Sequence, residues 1–535
     1  MAQTVTPAGR AAAARVAPPD DPEVRTTPPA PETPQQSAST QEAPTRRVWV
    51  GRVLGPVLAL AVYALLPDST ALPVSARMTA AVVVLVAVWW MTEALPLPAT
   101  ALVPIVAFPL LGVLSTGDAT APYAEPTVFL FMGGFMIALA MQKWGLHKRI
   151  ALLTMRSIGT RPSQLVLGVM VATAFLSMWV SNTATTLMML PIGLSVLALV
   201  SERSGATDAK SVRNFGVGLM LAIAYAATIG GLSTLIGSPP NLIMAGFVEQ
   251  SYGIEISFAG WMKMGVPLTI VFLLVAWWFL TRVAYPTRLA EVAGGRQVIQ
   301  NELSALGRMS RGEWTVLAIF VSTALLWVFR QPLSEWEALV AVLPFMANLS
   351  DASIAIAAAV ALFLVPVSAR RGEGALDWKT AQKGLPWGVL LLFGGGLSLA
   401  KAVQESGLDD YIGTQVAGLG VLPTVLLVAS LCAVVLLLTE LTSNTATAAT
   451  FLPVLGGVAM GIGIDPLLVL VPAAMAATCA FMLPVGTPPN AIVFGSGKVT
   501  IGQMVRAGLW LNITGVVLIT VTVYALGGWA LGIQP

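Results

Sequence analysis

The sequence predicts an all-α polytopic membrane protein, an inverted repeat of about 11 transmembrane helices plus two re-entrant hairpins. Three observations carry that reading. The 535 residues are 56% hydrophobic and only 10% charged, far too apolar for an ordinary soluble protein. Many runs approach the roughly 20 apolar residues that cross a bilayer as a helix. One polar motif is written twice inside apolar surroundings, Ser181-Asn182-Thr183-Ala184-Thr185 and Ser443-Asn444-Thr445-Ala446-Thr447.

Residues 1–46, rich in Pro, Ala, Thr, Ser and Gln, read as a disordered cytoplasmic tail. No apolar run follows the early arginines, so they do not form a secretory signal. The first membrane half covers 47–285. Its spans are expected at 48–67, 76–95, 97–114 and 127–145. A basic loop follows, with Lys143, Lys148, Arg149, Arg156 and Arg161. The stretch 164–200 carries the first motif, whose apolar continuation ends near Pro191. Segment 214–248 is broken by Gly237-Ser238-Pro239-Pro240-Asn241, and 260–281 is a full span. A charged cytoplasmic linker covers 286–312. The second half, 313–535, has spans near 314–330, 340–366 and 386–404. The second motif stretch, 421–460, has its continuation ending near Pro453. A segment at 466–495 is broken by Gly486-Thr487-Pro488-Pro489-Asn490, and a last span covers 507–531.

The repeat extends past the motif. Phe131–Leu146 aligns with Phe393–Leu408, sharing a Gly-Gly pair and a final Gly-Leu. Both blocks and both motifs are 262 residues apart (443 − 181 = 262). The Pro-Pro blocks are 249 apart (488 − 239 = 249), because the first half has the longer loop at 201–213.

Charge sets orientation. With the N-terminus in the cytoplasm and both motif stretches as hairpins, only Arg77, Lys263, Arg330 and Lys401 of the 29 Lys and Arg fall outside, as the positive-inside rule asks. If 164–200 crossed fully, the loop with Arg203, Lys210 and Arg213 would be exported. Five spans per repeat is an odd number, so the halves are inverted and the C-terminus lies outside.

Paired interruptions at membrane depth point to a transport site. Ser, Asn and Thr oxygens and freed carbonyls suit a hard cation, and helix N-termini attract carboxylates. No Lys or Arg occurs in 162–202 or 402–497, so a bound cation would supply the counter-charge for an anion. Blander roles exist for each feature. Ser and Thr glue membrane helices, Pro-Pro pairs kink them, and Gly133-Gly134 and Gly394-Gly395-Gly396 read as close packing. Glu440 lies inside an apolar run, where carboxylates are functional by default. The first half has Trp179–Val180 in that region, so Glu440 reads as a local hydrogen-bond partner. Glu93 reads as a span-end residue. One histidine, His147, and two distant cysteines, Cys432 and Cys479, argue against a metal site or an enzyme.

Residues 175–185 (FLSMWVSNTAT) and 438–447 (LTELTSNTAT), with both Pro-Pro-Asn blocks, resemble the divalent anion/sodium symporter family, over about residues 50–532. The resemblance implies sodium-coupled symport of di- or tricarboxylates, C4-dicarboxylates such as succinate first among them. It implies a homodimer in the plasma (inner) membrane, with membrane lipid around it, each protomer having a scaffold and an elevator-type transport domain. By position, sodium site 1 is Ser177, Ser181, Asn182 and Gly237, and sodium site 2 is Thr439, Thr442, Asn444 and Gly486. Substrate would meet Asn182, Thr183, Ser238, Asn444, Thr445, Thr487 and Pro488. The alternatives are another anion carrier of the superfamily (sulfate, tartrate or a dicarboxylate exchanger), a drug-efflux relative, or a membrane-embedded enzyme or channel. Nothing suggests nucleic-acid binding.

Overall fold

Backbone groups in an apolar medium must bond internally, and the apolar runs are accordingly helical. The computed structural model describes residues 46–69, 72–159, 161–204, 209–287, 295–368, 372–416 and 423–534. The expected tail, apart from Arg46, lies outside the described residues. So do 205–208 of the loop after the first motif and 288–294 of the linker.

The first half runs α1 (Arg46–Leu65), α2 (Val74–Thr92), α3 (Leu97–Thr100), α4 (Val103–Leu110), α5 (Thr116–Thr120), α6 (Pro126–Lys143), α7 (Leu146–Arg156), α8 (Pro162–Ser177), α9 (Asn182–Ser204), α10 (Ala209–Gly230), α11 (Pro239–Tyr252) and α12 (Phe258–Trp278), with α13 (Gly295–Ala305) in the linker. The second half runs α14 (Arg311–Glu335), α15 (Glu337–Val342), α16 (Asp351–Leu364), a small antiparallel pair of β1 (Pro366–Ser368) and β2 (Glu373–Gly374), then α17 (Trp378–Gly384), α18 (Trp387–Glu405), α19 (Leu408–Val416), α20 (Thr424–Thr439), α21 (Asn444–Ile462), α22 (Pro466–Thr478), α23 (Pro488–Gly495) and α24 (Ile501–Leu531). Among the described residues, ten helices are long and apolar enough to cross a membrane.

The two broken segments form the core. Every residue of Phe215–Gly230 in α10 and of Leu467–Thr478 in α22 is buried, as befits helices apolar on all sides. The segments interlock, with α10 packing on α23 and α11 on α22. Both α11 and α23 start on Pro-Pro, where the missing N–H of proline costs nothing.

Several expected elements differ in detail. The 340–366 span is not one helix. Pro344 starts a 3-10 turn, and Ser350 caps α16 in a box with Ser353, which resets the helix. The 97–114 span splits in two, with Pro104 in the first turn of α4. Pro191 and Pro453 do not end their helices but lie inside α9 and α21. Glu93 caps α2 in a left-handed conformation, φ 52°. The basic loop contains a helix, α7, and its Arg149 is buried. Both α7 and α19 follow a left-handed glycine, Gly145 (φ 71°) and Gly407 (φ 73°), so the aligned Gly-Leu pairs mark two equivalent turns.

The paired glycines are close-packed. A β-carbon on Gly133 would meet the Ala355 backbone at 2.7 Å, and one on Gly395 would meet Ala101 O at 2.6 Å. Their neighbours face the motif-bearing segments instead. Gly134 packs on Ile236 and Gly396 on Ala449, at 3.2 and 3.0 Å from the built β-carbon.

Candidate functional site

Each motif sits where one helix stops and the next begins. α8 ends at Ser177 and α9 starts at Asn182; α20 ends at Thr439 and α21 starts at Asn444. Ser177 Oγ lies 2.6 Å from Asn182 Oδ1 and 2.7 Å from Ala227 O. Thr439 Oγ1 lies 2.7 Å from both Asn444 Oδ1 and Ala477 O. A hydroxyl carries one proton and cannot donate to both acceptors. The first half therefore holds a donor-poor cluster of oxygens, and the second half sets the same residue types at the equivalent positions.

The amide orientation differs between the halves, because the Asn444 nitrogen and not its oxygen satisfies the neighbouring acceptors. Half a turn of the Asn444 amide would let its nitrogen donate to Gly486 O (3.1 Å), Thr439 Oγ1 (2.7 Å) and Ala477 O (3.3 Å). With its oxygen turned in, the same position is ringed by oxygens, the ligand type of hard cations. In the first half Gly231 packs between the Asn182 amide and Gly237. A β-carbon there would come to 2.9 Å from Asn182 Oδ1 and 3.0 Å from Gly237 O.

The remaining expected residues divide. Among the described residues the hydroxyls of Thr183, Thr445 and Thr487 have no protein partner, and the side chain of Ser443 makes no cap hydrogen bond. Ser238 and Thr487, at the starts of α11 and α23, likewise leave their helices without a side-chain cap; the Pro-Pro pairs carry no N–H, and Asn241 N and Asn490 N donate to Ser238 O and Thr487 O. Ser238 Oγ instead meets Thr478 Oγ1 at 2.9 Å, and that contact joins the two halves. Ser181 and Thr442 are engaged locally. Ser181 Oγ accepts from Ala184 N, and Thr442 bonds Leu438 O and Thr447. Pro488 is exposed and contributes surface alone.

Four residues escaped the site expected from sequence. Asn241 Nδ2 donates to Gly231 O and Thr234 O, at 3.0 and 2.9 Å, and Asn490 Nδ2 donates to Ala480 O and Leu483 O, at 3.1 and 3.0 Å. Each staples its break, and the repeated Pro-Pro-Asn block was the signal for both. Glu440 Oε1 accepts from Phe481 N (2.7 Å), Met482 N (2.8 Å) and Asn512 Nδ2 (2.7 Å); Oε2 accepts from Leu483 N (3.0 Å). By the 262-residue spacing its counterpart is Met178, not Trp179–Val180, and Met178 offers only its backbone O, to Thr234 Oγ1 (2.5 Å). Asn512 had no sequence signal at all.

Among the described residues no group of three His, Cys, Asp or Glu could hold a metal, and Cys432 and Cys479 are free and buried. His147 lies in α7, where burial lowers its pKa and its ring meets Met141 O.

A family model described as the sodium:sulfate symporter transmembrane region matches residues 47–532. A Staphylococcus saprophyticus protein named sodium-dependent dicarboxylate transporter SdcS is 43% identical over 489 residues, covering 91% of this chain and 92% of that protein. Its Staphylococcus aureus USA300 namesake is 44% identical over 488 residues, with the same coverage. Two solved structures share the fold at low identity. They are the Alcanivorax borkumensis YdaH transporter (TM-score 0.57, 17% identical, 91% of this chain and 98% of that one) and Neisseria gonorrhoeae MtrF (TM-score 0.55, 13%, 91% and 97%). With its motif doubled, its helices apolar and its length matched almost throughout, the chain belongs to the sodium:sulfate symporter family, the divalent anion/sodium symporters.

Proposed function

We propose that this multi-pass membrane protein is a secondary active transporter that couples sodium to the uptake of small di- or tricarboxylates, C4 acids such as succinate foremost. The observation that carries the reading is the duplicated oxygen cluster, in stretches without a single Lys or Arg. A dianion there needs a cation beside it, and the clusters have the chemistry for sodium. The relatives named sodium-dependent dicarboxylate transporters support the same substrate class.

In this reading Ser177, Asn182 and Gly237 form one cation site, and Thr439, Asn444 and Gly486 the other. Ser181 and Thr442, engaged locally, support the tips. Sodium holds the Asn182 oxygen inward and turns that of Asn444 inward, which leaves each amide nitrogen for carboxylate. Thr183 and Thr445 then meet the anion with their free hydroxyls, beside Ser238, Thr487 and the surface of Pro488. Cation and anion each raise the other's affinity by the same factor. Transport proceeds by an elevator movement of the motif-bearing helices against a scaffold containing α2, α6 and α18, within a homodimer. The halves are inverted, with the N-terminus cytoplasmic and the C-terminus outside.

The test is uptake of labelled succinate into proteoliposomes carrying a sodium gradient, a proton gradient or neither. Sodium-driven accumulation is expected, and equal uptake without sodium would sink the reading. Competition by malate, fumarate, tartrate, citrate and sulfate then ranks the substrates.

A further inference from the structure

We propose that Glu440 is the fixed counter-charge of the second cation site, so that two sites of matching geometry bind sodium unequally, the Asn444 site more tightly. The inference rests on the sodium sites proposed above and adds an energetic difference between them.

Glu440 is 3% exposed and caps the C-terminal end of α20, one residue after Thr439. Its four acceptor bonds seize the backbone of 481–483 and the side chain of Asn512. Those bonds fix the segment that delivers Gly486 O to Asn444. A β-carbon on Gly486 would stand 3.1 Å from Glu440 Oε2. The carboxylate therefore lies against one of the proposed sodium ligands without being aimed at the cation itself.

Among the described residues the first half holds its break with neutral groups alone. Thr234 donates to Met178 O, Trp261 Nε1 to Leu232 O (3.0 Å), and Ser233 Oγ to Thr269 Oγ1 (2.9 Å). Only the second half adds a formal charge. Among the described residues no Lys or Arg forms an ion pair with Glu440; the buried pairs lie elsewhere, as in Arg149–Glu313 and Arg330–Asp351. A buried carboxylate is costly when nothing opposite in charge is near. Sodium at the Asn444 site supplies that opposite charge, and in a low-dielectric interior one charge at close range is worth about tenfold or more in affinity. Glu440 is thus a positioning residue that acts on sodium through Gly486 and through its field.

The experiment measures sodium-dependent thermal stabilisation of the purified full-length protein, and the sodium and succinate dependence of uptake in proteoliposomes. Glu440→Gln keeps an acceptor and removes the charge. It is expected to raise the sodium constant about tenfold or more, with the succinate constant at saturating sodium unchanged. Glu440→Asp should recover most of the loss. Asn512→Ala removes one donor but keeps the charge, and should move the sodium constant far less. An unchanged sodium curve in Glu440→Gln, or an equal shift in Asn512→Ala, overturns the inference. If Glu440→Gln does not fold, variants that leave Glu440 in place decide. Thr439→Ala should shift the tighter sodium step to higher sodium and Ser177→Ala the weaker, and the reverse order overturns the inference. Sodium-indifferent wild type would instead defeat the transport reading itself.

Discussion

Ser177 and Thr439 make the same two contacts 262 residues apart, each hydroxyl set between an Asn side-chain amide and an Ala carbonyl at 2.6–2.7 Å. Thr183 and Thr445, by contrast, have hydroxyls with no protein partner among the described residues. The contrast predicts separable roles. Losing a hydrogen bond to a charged ligand costs about 1.5–3 kcal/mol, roughly tenfold to over a hundredfold in affinity. Thr183→Ala should raise the succinate constant by that factor even at saturating sodium. Ser177→Ala and Thr439→Ala should raise the sodium constant, with succinate binding restored by excess sodium. Uptake over a grid of both concentrations decides it. Full sodium rescue of Thr183→Ala would refute the division of roles.

Arg149 and Glu313 form a buried pair across the two halves. Nε lies 2.6 Å from Oε1, and the guanidinium also donates to Gly307 O (3.0 Å) and Leu306 O (3.3 Å). Beside it Lys148 meets Glu302 at 2.9 Å on the surface. Removing one member of a buried pair strands the other's charge, at a cost of about 3–5 kcal/mol. Arg149→Ala should therefore lower the melting temperature markedly, whereas Lys148→Ala, at an exposed pair, should cost at most about 1 kcal/mol. Replacing Arg149 and Glu313 together by Met and Leu should recover much of the loss. Thermal melts of the three variants test this, and additive losses in the double variant would refute it.

These two pairs show what a sequence can and cannot reveal. The Ser177 and Thr439 clusters were legible because the repeat writes them twice at one spacing, and the Pro-Pro blocks marked both helix breaks. Spans were legible wherever apolar runs were unbroken. The 340–366 run failed because Pro344 and the Ser350–Ser353 capping box outweigh its apolar composition. Arg149 looked like one cation in a basic loop, because its partner is 164 residues away. Asn512 is a single amide in an apolar helix, and only folding brings it to Glu440. Long-range pairs occurring once leave no periodic trace.

Orientation gives a third prediction. Residues 203–213 and 370–383 are assigned to the cytoplasm, and 114–125 and 405–410 to the outside. Described ion pairs join residues assigned to one side, as in Lys143–Asp377 and Arg149–Glu313 inside, and Arg77–Asp68, Arg330–Glu255 and Lys401–Asp118 outside. Single cysteines in a background lacking Cys432 and Cys479 can be labelled with a membrane-impermeant reagent. Positions 210 and 380 should react only from the cytoplasmic side, and 117 and 410 only from outside. Labelling of 210 from outside would mean that α8 and α9 together cross the membrane.

Gly396 carries the last prediction. It occupies the α18 surface against Ala449, six residues into α21, and its counterpart Gly134 on α6 lies against Ile236. Their neighbours Gly395 and Gly133 pack on Ala101 and Ala355 instead, so each glycine pair serves two different contacts. An elevator needs a smooth face where the moving helices pass, and a side chain there obstructs passage without touching the oxygen clusters. Gly396→Leu should therefore slow succinate uptake severely while leaving sodium-dependent thermal stabilisation near the wild-type curve. Gly396→Ala adds one methyl group at a 3.0 Å contact and should be milder, since a small shift of Ala449 accommodates it. The pair of measurements separates movement from binding. If Gly396→Leu transports at the wild-type rate, α18 is not the surface on which α21 moves. If it loses sodium stabilisation together with transport, the glycine supports the fold of the site rather than its travel.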